Sequence, residues 1–205
     1  RNLMTIRIAS SIGLNKILDL SKKLDIYDDI PELLSVSLGA AETTLLSLTS
    51  AYATFINGGK KIEPTLISRI QDRRGKTIFK KKNRKCVGCD KFANNPIDYP
   101  FIENTNAQVI SKETAYQISS ILRGAVKRGT AKKLRSLNVP LAGKTGTTNN
   151  NFDAWFIGFS SNLVIGVYVG FDNPKTLGKY ETGSKAALPI FKKFVENALF
   201  KEDLK

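Results

Sequence analysis

The sequence predicts an α+β fold in which helices flank an antiparallel sheet. Three observations support this prediction. Apolar residues recur at helical spacing in much of the first 129 residues, residues 139–171 are rich in β-forming residues, and an amphipathic helix closes the chain from Pro189. Helices that precede a strand meander and a final helix are typical of the α+β class. The 205 residues are 41% hydrophobic, which is enough for a sizeable core.

The N-terminal region is predicted to be helical. Residues 3–26 indicate two short helices that separate near residues 10–13. Residues 43–57 predict another helix, which Thr43 or Thr44 could cap and which Gly58-Gly59 would end.

The next region is less regular. Residues 66–70 and 77–79 predict a weak hairpin with a turn at Arg74-Gly75. Residues 80–108 contain basic residues, both cysteines and two prolines, so we expect a basic, irregular surface excursion there.

A strong amphipathic helix is predicted between Ser111, as its N-cap, and Gly129, as its end. The residues predicted on its apolar face are Ile118, Ile121, Leu122, Ala125 and Val126.

The last part of the chain predicts strands at residues 139–148, 154–159 and 163–171. Ser160-Ser161-Asn162 is a tight connection, so the last two strands should form an antiparallel hairpin. The closing helix is expected to begin at Pro189. Its predicted inward residues are Ile190, Phe194, Val195 and Ala198.

The formal charge is +14, and much of the excess lies in one stretch. Residues 73–85 hold eight Lys or Arg side chains and no acidic residue. Such a stretch is either a solvated loop or a contact with an anionic membrane or wall surface. Nucleic acid is not expected as a partner, because no helix-turn-helix, finger or aromatic-basic RNA motif accompanies the charge.

Histidine is absent, which excludes a Ser-His-Asp or Cys-His apparatus built from this chain and any His-ligated metal. A catalytic base would have to be a lysine, a carboxylate or a water that they activate.

Cys86 and Cys89 lack the second pair that a zinc ribbon requires. A local disulfide in an oxidising compartment is one interpretation, and half of an intermolecular metal site is another. We expect no cofactor.

The segment Gly143-Lys144-Thr145-Gly146-Thr147-Thr148 carries the clearest chemistry. A phosphate-binding loop is a poor match, because Asn138 stands where its first glycine is needed. A lysine on a strand beside a cleft instead supplies a fixed charge for a carboxylate-bearing substrate. The next hydroxyl can bond that carboxylate, and a glycine lets a peptide lie against the strand edge. An ordinary strand with a glycine bulge is the alternative.

Lys144-Thr145-Gly146 resembles the third signature of β-lactamases and penicillin-binding proteins. Nearly the whole chain resembles the bifunctional class A penicillin-binding proteins, and residues 80–108 fit least. The segments that carry the resemblance are residues 38–42, 50–59, 129–131, 142–148, 153–158 and 169–172. Arg1-Asn2-Leu3 is similar to the end of the family's Ser-x-Asn element.

The resemblance implies that residues 1–205 are the C-terminal part of a D,D-transpeptidase domain of the penicillin-binding protein and β-lactamase fold. It implies catalytic roles for Asn2 and Lys144, and substrate binding by Thr145, Gly146 and Thr147. The expected partners are the peptidoglycan stem peptide and, in the complete domain, β-lactam antibiotics. The expected location is the periplasmic face of the bacterial inner membrane, with an anchor upstream of this chain.

One departure from the family pattern concerns the nucleophile. No serine in the chain has a lysine three positions later, so the Ser-x-x-Lys element is absent. We therefore expect the chain alone to be inactive. The alternatives are a non-catalytic module that binds wall peptide or a partner, and a carboxypeptidase or β-lactamase of the same fold.

Overall fold

The computed structural model describes residues 2–81, 84–89 and 101–198. The predicted α+β class is confirmed. The helices are α1 (Asn2–Ile12), α2 (Leu14–Lys23), α3 (Leu45–Ile56), α4 (Lys112–Arg128) and α5 (Ala187–Ala198). The strands are β1 (Arg69–Gln71), β2 (Thr77–Lys80), β3 (Arg84–Val87), β4 (Phe101–Asn104), β5 (Ala142–Thr147), β6 (Ala154–Phe159) and β7 (Val164–Val169).

The main sheet is antiparallel and has the order β5-β6-β7. In its register, Gly146 pairs with Trp155, and Trp155 pairs with Tyr168. The predicted β6–β7 hairpin is confirmed, and the N–H of Ser160 donates to the carbonyl of Leu163 to close its turn. Helix α5 packs against β6 and β7, whereas α3 contacts β7 and α4 contacts β5.

Helix α5 packs on the sheet with a different face from the predicted one. Ile190 and Phe194 are 52% and 48% exposed, whereas Phe191 is fully buried with its ring centroid 4.8 Å from that of Phe156. Ala198 is also exposed, and only Val195 of the predicted set is buried. The helix begins at Ala187, two residues before the predicted start at Pro189. Pro189 is tolerated there because it still falls in the first turn, where a missing N–H costs no helical hydrogen bond.

The predicted boundaries of the other helices agree with the structure. Gly13 separates α1 from α2. The hydroxyl of Thr44 accepts the N–H of Ser47 at the start of α3, and Ser111 accepts from Thr114 at the start of α4. One residue on the predicted apolar face of α4, Ile121, is 68% exposed, so that part of the prediction was wrong.

The region expected to be irregular contains paired strands. Strands β1 and β2 form the predicted hairpin, and β3 pairs antiparallel with β4 over four residue pairs. Every residue of these four strands is exposed. Cys86 and Cys89 form a disulfide. The asparagine and proline signals at residues 94–100 lie outside the described residues, as does Lys82 of the basic stretch.

Candidate active site on strand β5

Strand β5 carries four of the five predicted site residues at one edge of the three-stranded sheet. Because side chains alternate along a strand, Lys144 and Gly146 belong to one face, and Thr145 and Thr147 to the other. Ala142 and Gly143 at the start of the strand are buried, whereas Lys144 is exposed. The strand therefore leaves the core at the lysine.

The side chain of Lys144 lies back along its own strand. Its Nζ donates to the carbonyl oxygen of Thr145 at 2.6 Å. Partial removal from water lowers the pKa of Lys144 from the ordinary lysine value. The amine therefore releases its proton more readily than a fully solvated lysine, as is useful for proton transfer next to a nucleophile.

Thr145 is joined to the end of α4 through its hydroxyl. Its Oγ1 lies 3.1 Å from Oγ1 of Thr130, which directly follows the helix cap Gly129. A hydroxyl both donates and accepts, so a bond from Thr130 leaves the Thr145 proton free for a ligand. No role for Thr130 was predicted from the sequence. Its position after the strong C-terminal signal of α4 was the available hint.

Thr147 makes a hydrogen bond within the protein. Its Oγ1 accepts the N–H of Gly183 at 3.0 Å, so this oxygen fastens the segment before α5 to the end of β5. The hydroxyl proton is not used by that bond and can still be donated. Thr147 therefore combines a structural contact with the predicted capacity to bind a carboxylate.

Gly183 lies against the strand backbone and was missed in the sequence analysis. A Cβ atom at Gly183 would come within 2.4 Å of the carbonyl oxygens of both Gly146 and Trp155. Only a glycine fits at this distance. The same segment is held a few residues earlier, where the amide of Asn151 donates to the carbonyls of Gly178 and Lys179 at 2.9 and 3.0 Å.

An aromatic pair joins β6, which is next to β5, to β7. The ring centroids of Trp155 and Tyr168 are 4.8 Å apart, and Trp155 is the cross-strand neighbour of Gly146. The hydroxyl of Tyr168 donates to Oδ1 of Asp153 at 2.9 Å, and this bond raises the pKa of Tyr168. Trp155 and Asp153 thus both contact Tyr168.

Asn2 is the first residue of α1 and is exposed. Within the described part of the chain, no hydrogen bond joins Asn2 to β5. The predicted site residues on β5 are therefore together, and Asn2 is not linked to them directly.

Two features are absent from the residues that the structure describes. These residues contain no group of three or more Cys, Asp or Glu side chains that could hold a metal ion. They also contain no helix that is long and apolar enough to cross a membrane.

Comparison with known proteins gives consistent matches. The family model described as the penicillin-binding protein transpeptidase domain matches residues 21–196. Penicillin-binding protein 1A of Rickettsia prowazekii is 45% identical over 201 residues, which is 97% of this chain and 25% of that protein. Penicillin-binding protein 1A of Pseudomonas aeruginosa is 33% identical and is matched over 97% of this chain and 28% of its own length. The chain thus spans about a quarter of the length of these curated relatives.

Solved structures share the fold. The crystal structure of penicillin-binding protein 1A from Haemophilus influenzae aligns with a TM-score of 0.78 and 31% identity, covering 98% of this chain and 34% of that one. Penicillin-binding protein A from M. tuberculosis, in its imipenem acyl-enzyme complex, aligns with a TM-score of 0.68 and 20% identity over 95% of this chain and 45% of that one. The second likeness concerns the fold alone.

Proposed function

Since the chain belongs to the penicillin-binding protein transpeptidase family, we propose that it forms the substrate-facing C-terminal part of a peptidoglycan D,D-transpeptidase domain. One observation carries this proposal. Lys144, whose pKa is lowered, and Thr145, whose hydroxyl contacts Thr130, occupy successive positions of an edge strand. This arrangement offers a charge and a hydroxyl to a carboxylate-bearing peptide that lies along the strand.

In the proposed reaction, a serine outside this sequence attacks the carbonyl carbon between the two terminal D-alanines. The bond to the last D-alanine breaks, and that residue leaves as the amine with a proton. An amine on a neighbouring peptidoglycan strand then attacks the acyl-enzyme. This attack forms the cross-link and releases the serine. A β-lactam would acylate the same serine.

Each of the five predicted site residues has a part in the proposal. Lys144 sets the electrostatics around the serine and the substrate, and Thr145 and Thr147 donate to the substrate carboxylate. Gly146 leaves room for the substrate backbone beside β5. Asn2 holds the substrate amide or the proton network, provided that the complete domain brings α1 to the cleft.

The chain alone is proposed to be inactive, because its sequence has no Ser-x-x-Lys element. The complete protein is proposed to work on the periplasmic side of the inner membrane, anchored through a segment outside this sequence. A non-catalytic wall-peptide module remains the second candidate, and a carboxypeptidase or β-lactamase of the same fold is the third.

The basic stretch at residues 73–85 is proposed to contact an anionic membrane or wall surface. Its described residues are exposed except for the half-buried Lys81, and they include the apolar side chains of Ile78 and Phe79, which are 64% and 45% exposed. One of its cations is partly neutralised, because Nζ of Lys81 lies 2.9 Å from Glu63. The other described cations of the stretch form no salt bridge within the described residues.

Intact mass after incubation with a penicillin tests the main proposal. The 205-residue chain should gain no mass, whereas a longer protein that includes an upstream Ser-x-x-Lys segment should gain one acyl group. The same longer protein with Lys144→Ala should fold but acylate slowly. Stoichiometric acylation of the 205-residue chain would contradict the proposed division of the site, and normal acylation of the Lys144→Ala protein would remove Lys144 from it.

A further inference from the structure

A second cationic surface lies on the segment that joins β7 to α5. Nζ of Lys179 and Nζ of Lys185 lie 5.8 and 5.5 Å from the ring centroid of Tyr180. Tyr180 itself is 65% exposed. Both distances are within the range of cation–π attraction, so the exposed ring gathers two ammonium groups in one place.

Among the residues that the structure describes, neither Lys179 nor Lys185 forms a salt bridge. Glu181, which follows Tyr180 in the sequence and also lies within the described ranges, forms no salt bridge with either lysine. Two like charges around one ring repel each other, and an anion between them would relieve that repulsion.

The backbone of the segment that carries the two lysines is joined to β5 and to the turn that follows it. Gly183 lies between the two lysines in the sequence, and its N–H donates to Thr147 at the end of the strand. The carbonyl of Lys179 accepts a hydrogen bond from Asn151, in the turn that follows β5. The cationic surface is therefore attached to the end of the strand that carries Lys144 and Thr145.

We propose that Lys179, Tyr180 and Lys185 form a subsite for a side-chain or α-carboxylate of the substrate peptide, beyond its D-Ala-D-Ala end. A peptide aligned along β5 would continue past the strand, where the two ammonium groups and the tyrosine hydroxyl can donate to a carboxylate. This inference rests on the proposed function, because it assumes that a peptide lies along β5.

NMR titration of the isotopically labelled 205-residue chain tests the subsite. The first probe is an acetylated γ-D-glutamyl peptide with two free carboxylates and no D-Ala-D-Ala, and the second is its bis-amide. The first should shift the signals of Lys179, Tyr180 and Lys185, and the bis-amide should bind at least about tenfold more weakly, as expected for the loss of one charge-assisted contact. Inorganic phosphate at the same concentration distinguishes a peptide subsite from a general anion site.

The matched variants are Lys179→Ala/Lys185→Ala and, as a control, Lys22→Ala/Lys23→Ala, which removes two exposed lysines from the end of α2. Only the first variant should lose the shifts. Any of four results would overturn the subsite. These are equal binding of the acid and the amide, unchanged shifts in the first variant, equal binding of phosphate, and no shift with any probe. N-acetyl-D-Ala-D-Ala is titrated separately, because shifts at Lys144 and Thr145 report on the proposed function rather than on the subsite.

Discussion

The hydroxyl oxygens of Thr130 and Thr145 lie 3.1 Å apart, although 15 residues separate them in the chain. Thr130 directly follows the last turn of α4, and Thr145 is in the middle of β5. This contact joins the end of a helix to the strand that presents Lys144. It also holds the Thr145 side chain against the end of the helix before any substrate arrives.

Replacement of Thr130 should slow acylation without removing the strand. In a longer protein that carries the nucleophile, Thr130→Val should lower the second-order rate of penicillin acylation about fivefold, since a neutral hydrogen bond contributes about 1 kcal/mol. Thr130→Ser keeps the hydroxyl and should retain most of the rate. The rate is measured by stopped flow with a chromogenic β-lactam. A loss of rate in Thr130→Ser together with an unchanged rate in Thr130→Val would show that the methyl group of Thr130, and not its hydroxyl, matters.

Gly183→Ala should destabilise the fold, because the new Cβ would come within 2.4 Å of two backbone oxygens. Overpacking of this kind costs about 1–3 kcal/mol in the free energy of unfolding. Urea denaturation followed by circular dichroism measures the change. Gly124→Ala is the control, because its Cβ would meet only the flexible end of Arg128 at 3.3 Å and alanine favours a helix. A Gly183→Ala protein as stable as the Gly124→Ala protein would contradict the close contact.

The two phenylalanines of α5 should differ sharply in their contribution to stability. Phe191 is fully buried against Phe156, and truncation to alanine should lower the free energy of unfolding by about 3–5 kcal/mol. Phe194 is 48% exposed, and Phe194→Ala should cost less than about 1 kcal/mol. Thermal and urea unfolding of the two variants provide the measurement. The reverse order would mean that the helix packs with the face predicted from the sequence.

That helix illustrates where the sequence was sufficient and where it was not. The amphipathic segment contains two overlapping apolar stripes, one through Leu188, Phe191 and Val195, and the other through Ile190 and Phe194. Both have helical spacing, so periodicity predicts the helix but not the face that it buries. The choice between the stripes depends on the sheet, where the ring of Phe156 contacts Phe191.

The same distinction holds at the site. Strand β5 and its lysine were predictable because the motif is continuous in sequence, and the starts of α3 and α4 were predictable because their caps are local. The contacts of Thr130 and Gly183 join residues 15 and 36 positions apart, and no local pattern encodes such pairs. Strands β3 and β4 were missed because every side chain in them is exposed, so they lack the burial alternation by which strands are recognised.

Lys144→Met should stabilise the folded chain at neutral pH. Partial burial lowers the pKa of Lys144, so in the folded state the charged form is disfavoured, and this penalty is present below the folded pKa. Between the folded pKa and the ordinary lysine value, the unfolded state binds more protons, and stability therefore rises with pH. The difference in unfolding free energy between the variant and the wild type should be largest near pH 7 and shrink towards pH 11. A constant difference, measured by urea denaturation across this range, would contradict the desolvation of Lys144.

The basic hairpin turn offers a test of the anionic surface contact. Arg73 and Arg74 lie exposed between β1 and β2, and the turn itself is held by the side chain of Asp72, which accepts the backbone N–H groups of Arg74 and Lys76. Arg73→Glu/Arg74→Glu should therefore preserve the hairpin while reversing its charge. Each basic residue near an anionic bilayer contributes about 1 kcal/mol, so binding to vesicles with 30 mol% phosphatidylglycerol in phosphatidylcholine should weaken by at least about tenfold.

The control Lys132→Glu/Lys133→Glu makes the same charge change at exposed positions after α4 and should bind nearly as the wild type does. Binding should also fall at 0.5 M salt, because screening acts on exposed charges. Equal losses in both variants, or binding that survives high salt, would show that net charge or apolar contact, rather than this turn, directs the chain to the surface.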